Sequence, residues 1–184
     1  MKILIINGPN LNMLGTREPE IYGSHSYYEL VEFIKDNSTD EMEFFQSNIE
    51  GEIINKIHEA KTKGFEGIVI NPGAYAHYSY AIYDALKCVT IPKVEVHLTD
   101  INNREDFRKN LVTAKACDNM ICGLGFVGYL TAIKWLNGGF CGTTCANPEV
   151  NGNKADAAWK QVPMYKPSLW NRFIWWLKDK FGIV

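Results

Sequence analysis

Residues 2–23 read KILIINGPNLNMLGTREPEIYG, an apolar run, Ile3-Leu4-Ile5-Ile6, that breaks into a loop of asparagine, proline and glycine. A short apolar, β-branched run followed at once by turn formers reads as a strand buried on both faces, the kind that builds parallel sheets. The loop stands where α/β proteins often carry a glycine-rich phosphate cradle. Residues 7–15, however, have neither the spacing nor the lysine of a phosphate loop. Instead, Arg17 and Tyr22 lie five positions apart between Gly15 and Gly23.

Working outward, the same kind of run recurs at Met42–Gln46, Gly67–Ile70, Lys93–Val96 and Asn119–Cys122. Helical patterns fall between them, over Tyr27–Lys35, Glu50–Lys63, Ser79–Lys87, a short Arg104–Lys109 and Phe126–Leu136. In the second of these, Ile53, Ile54, Ile57 and Ala60 form an apolar stripe along one helix face. Strands alternating with helices predict a five-stranded parallel sheet covered on both faces, an α/β architecture of flavodoxin-like type.

The chain has 184 residues, of which 46% are hydrophobic and 22% charged, enough to build a real core. A net charge of −2 predicts no general attraction for nucleic acid or anionic membrane. That average conceals a split, with 13 Lys/Arg against 18 Asp/Glu in residues 1–146 and 6 against 3 in residues 147–184. Five cysteines and no signal-peptide pattern after Met1 point to a reducing cytoplasm. Cys141 and Cys145 are a lone C-x-x-x-C pair without a nearby histidine, so no metal site is expected.

In an open α/β sheet, ligands gather beyond the carboxyl ends of the strands. That rim receives Asn7, Asn10, Arg17 and Tyr22 after the first strand and Asn71 and His77 after the third. His97, Thr99 and Asp100 follow the fourth, with Arg108 shortly behind. Glu95 and His97 are two apart on a strand and share a face, and a carboxylate beside an imidazole is how a general acid is prepared. His25 and His58 lack such company. A tyrosine titrates near pH ~10 and is a poor base unless a cation such as Arg17 stabilises its phenolate. The residues thus suggest proton abstraction by Tyr22 under a glycine-bounded lid, an imidazole acid opposite, and an anionic small-molecule substrate facing Arg17 and Arg108.

With these residues assembled, the chain resembles the type II 3-dehydroquinate dehydratases. The resemblance is carried by INGPNLNMLGTREPEIYG, FFQSNIEGEIINKIHEA, GIVINPGAYAHYS, IPKVEVHLTDINNREDFR and ICGLGFVGYLTAI, which together cover roughly residues 1–136. It implies a flavodoxin-like fold and a cofactor-free trans-dehydration of 3-dehydroquinate to 3-dehydroshikimate through an enolate. The implied base is Tyr22, the implied acid is His97, and Arg17 is the lid arginine. Asn10 is placed at an enolate-stabilising water, and Asn71, His77, Leu98, Thr99 and Arg108 on the substrate, with Glu95 supporting His97. Asp84 matches a carboxylate that reaches a neighbouring subunit's site, so a homo-oligomer, a dodecamer built of trimers, is implied. Thr99-Asp100 stands where the family usually has serine-asparagine, and an inward Asp100 would weaken anion binding. Tyr78 replaces a smaller residue and could crowd the site. The stretch KNLVTAKA, residues 109–116, lacks the family's His/Ser-rich pattern.

The catalytic unit is expected over residues 1–146, with a linker and a tryptophan-rich extension over 147–184 that lies outside the resemblance. Laid on a helix, Leu169, Trp170, Phe173, Ile174, Trp176, Leu177 and Phe181 share an apolar arc. Such a helix docks on a protein core or lies on a membrane surface. Docking is the favoured reading, because only Arg172, Lys178 and Lys180 flank the aromatic face with positive charge. The competing function is a flavodoxin-like scaffold that has lost catalysis and binds partners or membrane through this tail. Retention of Arg17, Tyr22 and His97 together argues against loss of catalysis.

Overall fold

The computed structural model describes residues 1–16 and 24–139. Arg17, Tyr22 and the whole 147–184 extension lie outside them. Five strands, β1 (Lys2–Asn7), β2 (Glu41–Gln46), β3 (Gly67–Asn71), β4 (Lys93–His97) and β5 (Asn119–Cys122), form one sheet in the order β2-β1-β3-β4-β5. Every neighbouring pair is parallel, with Ile5 opposite Phe44 and Val69, and Glu95 opposite Ile70 and Met120. This is the doubly wound arrangement expected from the alternating pattern, and it puts the reversal of strand order between β1 and β3.

Among the described residues, four helices cover the sheet: α1 (Tyr27–Asp36), α2 (Glu50–Thr62), α3 (Tyr80–Cys88) and α4 (Val127–Leu136). Their starts are written locally. Ser26 caps α1 in a capping box with Glu29, and the Ser79 hydroxyl accepts the Ile82 amide at the start of α3. Alternation along the strands splits the core in two. Ile3, Ile5, Val69, Val94, Val96 and Ile121 pack with Leu30 and Ile34 of α1 and Tyr129, Ala132 and Ile133 of α4. Leu4, Ile6, Ile68 and Ile70 face the other way, onto Ile53, Ile57 and Ala60 of α2 and Ile82, Ala85 and Leu86 of α3. Both layers are essentially water-free, which is why the strand runs are apolar rather than alternating.

The expected short helix Arg104–Lys109 is instead two 3-10 turns, Ile101–Asn103 and Asp106–Lys109, with extended backbone at Arg104 and Glu105 between them. Asp100 caps the first turn by accepting the Asn102 amide at 3.0 Å, and a third turn, Thr113–Ala116, leads into β5. Among the described residues, no helix is long and apolar enough to cross a membrane and no His/Cys/Asp/Glu group has metal-binding geometry.

Candidate active site

At the β1/β3 reversal the loops after the two strands press against each other. The Gly8 amide donates to the Asn71 carbonyl at 2.8 Å, and a Cβ on Gly8 would stand 2.3 Å from the Pro72 carbonyl oxygen. Only glycine lets the backbones approach this closely. The contact brings Asn10 and Asn71 to the same rim. Asn10 adopts a left-handed conformation, φ 65°, the one non-glycine residue among those described to do so. Its amide donates to Asn48 Oδ1 at 2.8 Å, a residue just past β2.

A cleft of about 160 Å³ opens there, lined by Asn10, Asn71, His77, His97, Leu98, Thr99, Arg104 and Arg108, with Pro9, Leu11, Gly73, Ala74 and Ile101 completing the wall. Seven expected residues, Asn10, Asn71, His77, His97, Leu98, Thr99 and Arg108, therefore converge. Among the described residues, none that lines the cleft is acidic. Glu105, just outside, accepts from Arg108 Nε at 2.9 Å and lies 3.3 Å from Arg104 Nε, bracing the two guanidiniums. Its own backbone amide, and then the two arginines, hold its carboxyl below the usual carboxylate range.

Glu95 does not line the cleft but lies fully buried behind His97, whose Nε2 donates to Oε1 at 2.8 Å. The other carboxylate oxygen, Oε2, accepts the Thr113 hydroxyl at 2.6 Å. Among the described residues, Nδ1 of His97 has no hydrogen-bond partner. His77 is oriented by a carbonyl instead, donating from Nδ1 to the Asn110 oxygen at 3.1 Å, so its Nε2 is an acceptor when the ring is neutral. Burial, assisted by His97 and Arg108, pushes the His77 pKa below its ordinary value despite that hydrogen bond. The two imidazoles lie 6.5 Å apart and nearly parallel.

Asn71 is held from below. Its Nδ2 donates to the Tyr129 hydroxyl at 3.1 Å, its Oδ1 accepts the Gly73 amide at 3.2 Å, and the Tyr129 hydroxyl donates to Asn7 Oδ1 at 2.6 Å. Burial raises the phenol pKa of Tyr129, so it remains a neutral donor. Asn7, expected at the rim, is instead a fully buried floor residue, because β1 runs one residue further than its apolar stretch.

Arg104, Thr113 and Tyr129 are site residues that the sequence does not single out. Arg104 stands four residues before Arg108, a spacing visible in NREDFR. Thr113 and Tyr129 had no local signal, since their partners lie 18, 58 and 122 positions away. Asp84 is exposed on α3 and does not reach the cleft of its own chain. The Asp100 carboxylate accepts the Asn102 amide and Asn103 Nδ2, at 3.0 and 2.9 Å, and so caps a turn rather than charging the cleft. Tyr78 is 59% exposed and likewise lines none of it.

Fold and site together define an open α/β protein with a cationic cleft at its topological switch point, furnished with a carboxylate-backed imidazole. The chain belongs to the class II dehydroquinase family, whose model matches residues 1–137. It is 58% identical over 139 residues to the 3-dehydroquinate dehydratase of Clostridium acetobutylicum, covering 74% of this chain and 96% of that protein. The Thermotoga petrophila 3-dehydroquinate dehydratase is 53% identical, covering 74% and 94%. Among solved structures, the type II dehydroquinase from Butyrivibrio crossotus superposes with TM-score 0.73 at 55% identity, covering 74% of this chain and 97% of that one. That from Propionibacterium acnes gives 0.68 at 39%, covering 73% and 94%.

Proposed function

We propose that this chain dehydrates 3-dehydroquinate to 3-dehydroshikimate in the shikimate pathway, with no cofactor and through an enolate. The observation that carries the reading is the Glu95–His97 pair opening onto a cleft walled by Arg104, Arg108, Asn10 and Asn71. A fully buried carboxylate hydrogen-bonded to an imidazole that lines a cleft is the arrangement that prepares a general acid.

In this reading the substrate carboxylate sits against Thr99 and the Leu98 backbone, while His77 and Arg108 hold ring hydroxyls. Tyr22, as phenolate under the influence of Arg17, removes the proton on the carbon next to the ketone. The electron pair moves onto the ketone oxygen, and a water held by Asn10 together with the Asn71 amide steadies the charge. His97 then delivers a proton from Nδ1 to the departing hydroxyl as the enolate collapses. The C–O bond breaks, water leaves, and the ring is left as an enone. Glu95 holds the imidazolium that serves as the acid. The exposed Asp84 is assigned to a neighbouring copy's cleft, within a dodecamer of trimers. The working compartment is taken to be the cytoplasm, residues 1–146 the catalytic unit, and 147–184 a docked extension.

The test is product mass. Incubating the full chain with 3-dehydroquinate should yield a species lighter by one water. Tyr22→Phe and His97→Ala should each lose at least about a hundredfold in turnover, the scale of a missing general base or acid. Unchanged turnover in either variant would remove that residue from its role.

A further inference from the structure

We propose that Thr113 is a positioning residue for the general acid, the outer member of a buried Thr113–Glu95–His97 chain. The inference rests on the reading of His97 given above and deepens it.

Glu95 is the centre of this hydrogen-bonded chain. Its place at the centre of β4 puts its carboxylate on the same face as His97 and entirely out of water. A buried carboxylate is tolerated when its oxygens are satisfied, and an unsatisfied one pulls its partners out of line or takes up a proton. One oxygen is taken by His97 Nε2 at 2.8 Å and the other by the Thr113 hydroxyl at 2.6 Å. Thr113 is itself fully buried, and this is the hydroxyl's hydrogen bond. A buried hydroxyl donating to the second oxygen holds the plane of the carboxylate. The carboxylate in turn fixes the tautomer and tilt of the ring that must present a proton from Nδ1.

The segment carrying Thr113 is anchored to the other histidine as well. The Val112 amide donates to the Ala76 carbonyl at 2.8 Å, and the Asn110 carbonyl accepts His77 Nδ1 at 3.1 Å. Residues 110–113 therefore orient both imidazoles of the cleft, one through a carbonyl and the other through a hydroxyl and a carboxylate.

Thr113→Val keeps the shape and β-branching and removes only the donor; Thr113→Ser keeps the donor. In the full-length chain, kcat of Thr113→Val should fall on the order of tenfold, the rate equivalent of losing a buried hydrogen bond to a charged group, with KM within about twofold. The downfield proton of the His97 Nε2–H bond, followed by NMR, should shift or broaden away. Thr113→Ser should restore both. Wild-type kcat and an unmoved resonance in Thr113→Val would overturn the proposal, as would a loss confined to KM. If the valine variant does not fold, Thr113→Ala carries the same comparison. The resonance reports on the chain without turnover. A wild-type protein inactive on 3-dehydroquinate would therefore sink the dehydratase reading while leaving the coupling through Thr113 measurable.

Discussion

Gly8→Ala tests how the site is assembled. An added Cβ would lie 2.3 Å from the Pro72 carbonyl oxygen, 2.5 Å from its carbon and 3.1 Å from its Cα. All three are backbone atoms, so no side chain can swing aside. Restoring a 3.0 Å contact needs the NGPN and NPG loops to part by roughly 0.7 Å, in a region with no slack to absorb overpacking. The Gly8 amide bond to Asn71 at 2.8 Å would stretch or break, and Asn10 and Asn71 would move apart on the rim. Overpacking plus one lost buried hydrogen bond should destabilise the fold by about 2–4 kcal/mol. Displacing positioning groups by most of an ångström should lower kcat/KM by about a hundredfold. The assay is enone formation alongside urea unfolding. Gly51→Ala is the control: that glycine lies in α2 with nothing within 4 Å of its added Cβ, and the change should stabilise by about 0.5–1 kcal/mol without affecting rate. Gly8→Ala turnover within twofold of wild type would refute the claim that this crossing sets the cleft.

Tyr129→Phe would leave Asn71 Nδ2 and Asn7 Oδ1 without their buried partner, so unfolding free energy should drop by about 2 kcal/mol and KM should rise, measured by urea melts and steady-state kinetics. His77 binds protons less readily folded than unfolded, chiefly because of burial. Stability should therefore be whole above pH ~6.5 and fall as pH drops through the window down to the lowered folded value, and His77→Asn should flatten that loss in urea midpoints taken across the range. Burial also raises the Cys117 thiol well above its ordinary value, while Cys88 is exposed, so iodoacetamide at mildly alkaline pH should label Cys88 well before Cys117 in peptide mass maps.

The sheet was legible because each strand is an apolar run between turn formers, and burial on both faces leaves that run no other use. The cleft was legible because its residues fall directly behind those runs, at Asn10, Asn71, His77, His97 and Thr99. Residues 101–116 were harder, since 3-10 turns have no hydrophobic period, and a helix was expected where Arg104 and Glu105 are extended. The supports of the site were not legible at all. Thr113 and Tyr129 act through partners far along the chain, and nothing local in KNLVTAKA marks a threonine that will meet Glu95. Asp100 looked like added charge at the cleft until its side chain proved to close the turn after it. Asp84 belongs to a further category, since its expected role requires a second copy.

The most direct measurement of the central claim is enone absorbance when fresh 3-dehydroquinate, with a chelator present, is added to full chain first treated with borohydride in the presence of substrate and then freed of the reagent by gel filtration. The account predicts steady growth of enone absorbance at a rate unaffected by either reagent, because the enolate route uses neither a metal nor a Schiff base. A flat trace from folded protein, or activity that borohydride destroys, would contradict it.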